Sequence, residues 1–204
     1  MDDSLYLEEK LKYDAIWANI ASYRNESPSE MLAPFYLHHF GEDLQPNDLL
    51  LDFGCGTGRA AKSFLSRGLR VGLLDLSSHS LDDGVSLLTR LLPDRLFFRE
   101  VCLWNLPADL LSAEWGLCCD VMEHIPPEKI DATLTSIASR IKKGGLFSIH
   151  LIEDSFGAAI GMPLHLTLQP KEWWQETLER HFSKVSCLKS EKEFAVFEVL
   201  SHSQ

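Results

Sequence analysis

The sequence predicts an α/β protein built as a three-layer sandwich, with a mostly parallel seven-stranded sheet, helices on both faces and a closing antiparallel C-terminal hairpin. Three observations predict it. From Asp48 onward, short apolar runs alternate with longer stretches of helical periodicity, and repeated strand–helix units fold as parallel sheets covered on both sides. A glycine-rich turn stands directly between the first apolar run and the helical stretch behind it. The last two apolar runs follow one another with no helix between them, as in a hairpin.

The elements follow in order. Residues 1–45 form a helical cap: Tyr13 and Trp17 stand four apart and share a helix face, and Ser27-Pro28-Ser29-Glu30 is an S-x-x-E helix start with proline in the first turn. The core spans 46–204. LLLDFG (50–54, with Leu49 ahead) is strand one, and Thr57–Arg67 is a helix stopped by Gly68. Leu69–Asp75 is strand two, and Ser77–Leu92 is a helix closed by Pro93. Residues 96–101 are strand three and Gly116–Val121 strand four. Pro127–Lys142 reads as a helix with Ile130, Leu134, Ile137, Ala138 and Ile141 on one side, ended by Gly144-Gly145. Strand five is 146–152, then a lid-like insertion at 154–169 and a helix at Pro170–Arg180. Phe182–Leu188 and Phe194–Leu200 make the hairpin.

A chain of 204 residues, 45% hydrophobic and free of repeats or Gly/Ser linkers, suits one domain over 1–204. No apolar run approaches the ~18 residues that span a bilayer, and MDDSLYLEEK lacks a signal-peptide layout, so a cytoplasmic protein without membrane partners is expected. The net charge of −11 disfavours long nucleic acid, whose phosphates want Lys and Arg. The five cysteines (Cys55, Cys102, Cys118, Cys119, Cys187) include no CxxC pair and read as buried reduced thiols.

The sharpest local signal is Asp52-Phe53-Gly54-Cys55-Gly56-Thr57-Gly58. Glycines at such a turn allow positive φ and let backbone N–H groups approach a ligand. A dinucleotide fingerprint, G-x-G-x-x-G/A, would place its third small residue where Arg59 stands. Asp52 would repel a pyrophosphate but attract an ammonium or sulfonium, which favours S-adenosylmethionine (SAM) over NAD. Asp75, ending strand two, suits the hydroxyls of a ribose, with capping of the next helix as its alternative role.

The segment LLLDFGCGTGRAAKSFLSRGLRVGLLDLS, followed by CCDVMEHIPP and KKGGLFSIHLI, resembles the successive motifs of class I, Rossmann-like SAM-dependent methyltransferases over about 48–152. The resemblance implies that Gly54, Cys55, Gly56 and Gly58 cradle the methionine portion, with Asp52 toward its amino group. It implies Asp75 on the ribose, Leu76 against adenine, and Asp120 and Val121 facing the methionine. Cys102 stands where the family often has an acid for the adenine amine, which shifts that contact to Leu103 or to Trp104. Arg24 is a candidate for the cofactor carboxylate, with a solvated surface arginine as the alternative.

Methyl transfer needs alignment, water exclusion and, for a hydroxyl or amine acceptor, a base. His124, His150 and His165 are the candidate bases, with Glu153 and Asp154 as further catalytic candidates; Glu153, Trp173 and Trp174 are candidates around the acceptor, with His165 carried by the insertion. Asp120-x-x-Glu123-His124 also resembles a pattern that holds a divalent metal in certain O-methyltransferases, where His150 or His165 would complete the set, although the preferred reading assigns no metal. The expected activity is methylation of an O or N nucleophile of a small molecule, yielding S-adenosylhomocysteine (SAH). Metal-assisted methylation of a sugar or nucleotide hydroxyl and a non-catalytic SAM-binding module are the alternatives.

Overall fold

A computed structural model of the chain describes residues 3–25, 27–157 and 160–202. Met1, Asp2 and Glu26 of the predicted cap, Ala158 and Ala159 of the predicted insertion, and the last two residues lie outside the described residues. The cap comprises α1 (Asp3–Asn19), α2 (Ala21–Asn25) and α3 (Pro28–His39). The core follows as β1 (Leu49–Phe53), α4 (Ala61–Ser66), β2 (Arg70–Asp75), α5 (Asp83–Leu91), β3 (Leu96–Glu100) and β4 (Ala113–Cys119). It continues through α6 (Ile130–Ala138), β5 (Ile141–His150), α7 (Lys171–Glu179), β6 (Lys184–Ser190) and β7 (Phe194–Leu200).

The seven strands form one sheet in the order β3-β2-β1-β4-β5-β7-β6. β1 to β5 are parallel, β7 runs antiparallel to β5, and β6 antiparallel to β7. The predicted sandwich and its closing hairpin are both present. All five residues of β1 are buried, as a strand covered on both faces requires. Leu49, Leu51 and Phe53 pack with Leu134, Ile137, Trp174 and Leu178 under α6 and α7. Leu50 packs with Ala33, Tyr36, Phe64 and Val85 under α3, α4 and α5. Strand order reverses between β1 and β4, so the crevice of an open α/β sheet belongs above their carboxyl ends.

Several boundaries differ from the sequence reading. α4 begins at Ala61, not Thr57, because Gly56 and Gly58 sit at φ +52° and +68° and hold the turn out of helical geometry. α5 begins after Asp82, whose carboxylate accepts from the Gly84 and Val85 N–H groups at 2.9 and 3.3 Å; Ser77 is a buried loop residue. The predicted Pro127–Lys142 helix ends at Ala138, and Ile141 opens β5 opposite Ala113. β4 correspondingly starts at Ala113 and ends at Cys119, so Asp120 and Val121 lie just beyond it.

Ser27 does start α3, with Pro28 in its first turn, but its side chain caps nothing. Its hydroxyl meets Thr57 Oγ1 at 3.1 Å, and Glu30 pairs with Arg59 Nε at 2.8 Å. Both polar residues of the predicted capping box are therefore spent on fastening the cap to the glycine turn. Arg59 adds bonds to the carbonyls of Arg24 and Asn25, and Ser77 Oγ donates to Asp14 of α1 at 2.5 Å.

Candidate functional site

A cavity of about 590 Å³ opens above the carboxyl ends of β1, β2, β4 and β5, roofed by the cap. Its floor begins with the glycine turn. Gly54, Gly56 and Gly58 all have positive φ (+74°, +52° and +68°), a conformation side-chain-bearing residues rarely adopt. A Cβ on Gly54 would also stand 2.4 Å from Val121 Cγ2. Gly54, Cys55, Gly56 and Thr57 line the cavity, while Gly58 packs inward against Leu73, Leu81 and Val85.

Asp75 lines the same end. Its Oδ2 accepts from Gly56 N–H at 2.8 Å and its Oδ1 from Ser77 N–H at 3.0 Å, so it braces the turn as well as facing the cavity. Burial pushes its carboxyl up to about 6. Asp52 lies behind the turn. It is buried, neither carboxylate oxygen has a partner, and burial followed by the proximity of Asp75 raises its carboxyl to about 7. Such a pair of carboxyls is costly as it stands and would be relieved by a cation nearby. Leu76, Val101, Leu103 and Trp104 continue this wall, giving an apolar slot next to Asp75. Cys102 is not part of the wall; it is half-buried, and its thiol is pushed up to about 11. Cys187 is likewise only half-buried, in contrast to the expectation of five buried thiols, whereas Cys55, Cys118 and Cys119 are buried and unpaired as expected.

The other end is built by the turns after β4 and β5. Asp120, at φ +53°, reverses the chain so that Asp120 and Val121 both reach the cavity. Asp120 Oδ2 lies 3.3 Å from His150 Nε2, and its Oδ1 accepts from Ser148 Oγ at 3.1 Å. That bond to Asp120 holds His150 above its ordinary value. Glu123 and His124 follow in a 3-10 turn (Met122–His124). Burial raises Glu123 to about 8 and lowers His124 to about 3, so His124 is neutral. His165 joins them: its ring centroid is 4.7 Å from that of His124 and 5.8 Å from that of His150. Glu153 and Asp154 also line the cavity. All three candidate histidines therefore meet in one place, and Glu153 lines the same cavity.

The 154–169 insertion is pinned. The Asp154 carboxylate accepts from Gly157, Leu164 and His165 N–H at 2.5, 2.9 and 3.4 Å, and the Glu123 carbonyl accepts from Leu166 and Thr167 N–H at 2.7 and 2.9 Å. Phe156 meets Tyr23 of the cap edge-on at 5.3 Å, and Tyr23 meets Trp17 at 4.8 Å. Tyr13 stands over His124 at 6.0 Å, and Trp17 lies over Gly56, 3.5 Å from where a Cβ would sit. This aromatic roof contains two residues, Tyr23 and Phe156, that the sequence reading missed. They lie far apart along the chain, and no local pattern links them.

Two expectations fail on placement. Trp173 and Trp174 do not face the cavity: Trp174 is fully buried in the core under α6 and α7, and Trp173 packs against that cluster, because α7 turns its apolar side to the sheet. Arg24 does not face it either. Its guanidinium donates to the carbonyls of Trp17, Ser80 and His79, tying the cap to the loop after β2.

Comparison with known proteins agrees with this architecture. Residues 50–145 match a family model described as a methyltransferase domain. A Burkholderia thailandensis 1,6-didemethyltoxoflavin N1-methyltransferase, solved with its substrate and SAH, superposes with a TM-score of 0.71 at 16% identity, over 98% of this chain and 89% of that one. The magnesium protoporphyrin IX methyltransferase of Synechocystis PCC 6803, solved with SAH, gives 0.63 at 16% identity, over 85% and 83%. The cyclase SpnF gives 0.65 at 14% identity, over 86% and 81%. Sequence comparison with curated proteins finds no match. Among the described residues, no helix is long and apolar enough to cross a membrane. Residues 50–145 therefore resemble a methyltransferase domain, and the chain has the mostly parallel α/β fold that these solved methyltransferases share.

Proposed function

We propose that the protein transfers the methyl group of SAM to an oxygen or nitrogen nucleophile of a small molecule. One observation carries the reading: a single roofed cavity has a glycine turn backed by two buried acids at one end and three histidines at the other. The residues present fit SAM. Asp75 would take the ribose, Leu76, Leu103 and Trp104 the adenine, and Gly54, Cys55, Gly56, Asp120 and Val121 the methionine. Asp52, partnerless behind the turn, would supply negative charge beneath the ammonium, a role consistent with its orphaned oxygens. When bound, SAM supplies an activated methyl group for in-line displacement.

The chain's own part is to hold the acceptor, exclude water and take its proton. His150 is the base this geometry favours. A neutral His150 donates from Nε2 to Asp120 and is left with a lone pair on Nδ1, an arrangement in which a carboxylate fixes both tautomer and orientation. His124 is a poor base because burial keeps it neutral down to about pH 3. The aromatic roof would close the site over a planar or apolar acceptor, and the net charge of −11 disfavours a polyanion. Incubation with methyl-labelled SAM and a panel of small hydroxyl and amine compounds tests this: label transferred by the wild type and lost in His150→Ala supports it. SAM binding without transfer to any member would point to a non-catalytic SAM-binding module.

A further inference from the structure

Glu123, His124 and His165 each offer a ligand atom, and these atoms lie within 4.8 Å of one another on the cavity wall. Their hydrogen bonds fix which atoms are free. His124 Nδ1 is 3.1 Å from the Leu164 carbonyl oxygen, and His165 Nδ1 is 2.5 Å from that of Ile152. A carbonyl oxygen only accepts, so each Nδ1 carries the proton and each Nε2 keeps its lone pair. Metal-binding histidines are held in the same way, with the second ring nitrogen tied to a carbonyl or carboxylate. Glu123 is fully buried; its Oε1 accepts from His150 N–H at 3.1 Å, while its Oε2 has no partner. With Oε2 unpartnered the ionised form is unfavourable in this buried place, and a cation that displaces the carboxyl proton is the natural remedy. Backbone bonds from Leu166 and Thr167 to the Glu123 carbonyl join the two segments that carry the three side chains, so the scaffold is pre-formed.

We infer that Glu123, His124 and His165 bind a borderline divalent cation such as Zn²⁺ at the acceptor end of the cavity. Two imidazoles and one carboxylate suit Zn²⁺ and its transition-metal neighbours, whereas Mg²⁺ and Ca²⁺ prefer all-oxygen shells. Bonds of about 2.0–2.1 Å place tetrahedral ligands about 3.3 Å apart, so the three side chains draw in by about 1 Å or more on binding. Three protein ligands leave one position open to the cavity, the arrangement of reactive rather than purely structural sites. Asp120 is not a member, since its carboxylate is engaged by His150 and Ser148. The set is thus not the Asp120–Glu123–His124 spacing of the sequence but one completed by the insertion. Only the use of the ion, to hold an acceptor oxygen, rests on the methyltransferase reading.

The test is calorimetric titration of the chelator-stripped, full-length protein with Zn²⁺, with Mg²⁺ in parallel, followed by SAH. One Zn²⁺ per chain is expected, with affinity reduced about 100-fold or more in His165→Ala and in Glu123→Gln. Both variants should retain the wild-type circular dichroism and SAH affinity, and Mg²⁺ should not compete. Absence of stoichiometric uptake would overturn the inference, as would uptake unchanged in His165→Ala, which would assign the ion to surface carboxylates. SAH binding without Zn²⁺ uptake would sink the ion site alone. Zn²⁺ uptake without SAH binding would uphold the ion site and sink the methyltransferase reading.

Discussion

Asp52→Asn should stabilise the ligand-free protein at pH 8 and flatten its dependence on pH between 5 and 8, because Asp52 is buried without a partner and its carboxyl lies at about 7. The unfolded chain releases that proton near 3.8, so in the interval the folded state binds more protons than the unfolded one. A raised acid of this kind costs nothing below pH 3.8 and costs progressively more up to about pH 7, after which the loss is complete. At about 1.36 kcal/mol per pH unit the full loss between pH 3.8 and 7 is about 4 kcal/mol, of which a comparison of pH 5 with pH 8 reads at most about 3 kcal/mol. For a domain of this size each kcal/mol moves Tm by about 2–4 °C. The assay is thermal or urea unfolding of both proteins at pH 5 and pH 8. Asn carries its own burial cost, but that cost does not vary with pH, so the comparison is between slopes. Asp75, at about 6, adds a loss that both proteins share and that is complete by about pH 6. Parallel stability curves for wild type and Asp52→Asn would refute the reasoning.

Four further substitutions probe the site and its supports. Gly54→Ala, at φ +74° and with Val121 in the way, should lose about 2–4 kcal/mol in urea unfolding, and Val121→Ala should recover only part because the φ strain stays. His150→Ala should lower kcat about 100- to 10,000-fold while SAM affinity, read by calorimetry, is retained. Arg59→Ala removes the bonds to Glu30, Arg24 and Asn25, so limited proteolysis should cut the first 30 or so residues faster while the core resists. Trp174→Ala should cost about 3–5 kcal/mol in unfolding but leave the acceptor KM unchanged, because the ring lies in the core; a large rise in KM would restore it to the acceptor site.

Legibility from sequence followed the range of the forces involved. The glycine turn, Asp75 and the position after β4 were readable because backbone conformation and strand-end placement are local properties. The Pro127–Lys142 helix was overextended because Ile141 continues a helical apolar stripe from Ile137 and Ala138, yet its pairing with Ala113 claims it for β5. Strand four begins at Ala113, ahead of the Gly116 of the sequence reading, and Glu114 is accommodated there by accepting from Leu49 N–H and pairing with Lys142. Ser27 and Glu30 carried the correct helix start but the wrong bonds, since Thr57 and Arg59 outcompete the helix end for them. The sequence suggests His150 or His165 as a companion of Asp120, Glu123 and His124, but that His165 stands beside both of the other histidines depends on how the insertion folds back. The closure of Tyr23 on Phe156 depends on a contact between cap and insertion that no local periodicity records.

The most direct test of the central claim is calorimetric titration of the purified protein with SAH, with NAD as a control and Asp75→Ala as a second protein. The account predicts one SAH per chain, no binding of NAD, and an affinity for SAH at least about tenfold weaker without the Asp75 carboxylate. NAD binding, or SAH binding indifferent to Asp75, would contradict the assignment of the glycine turn and its acid to SAM.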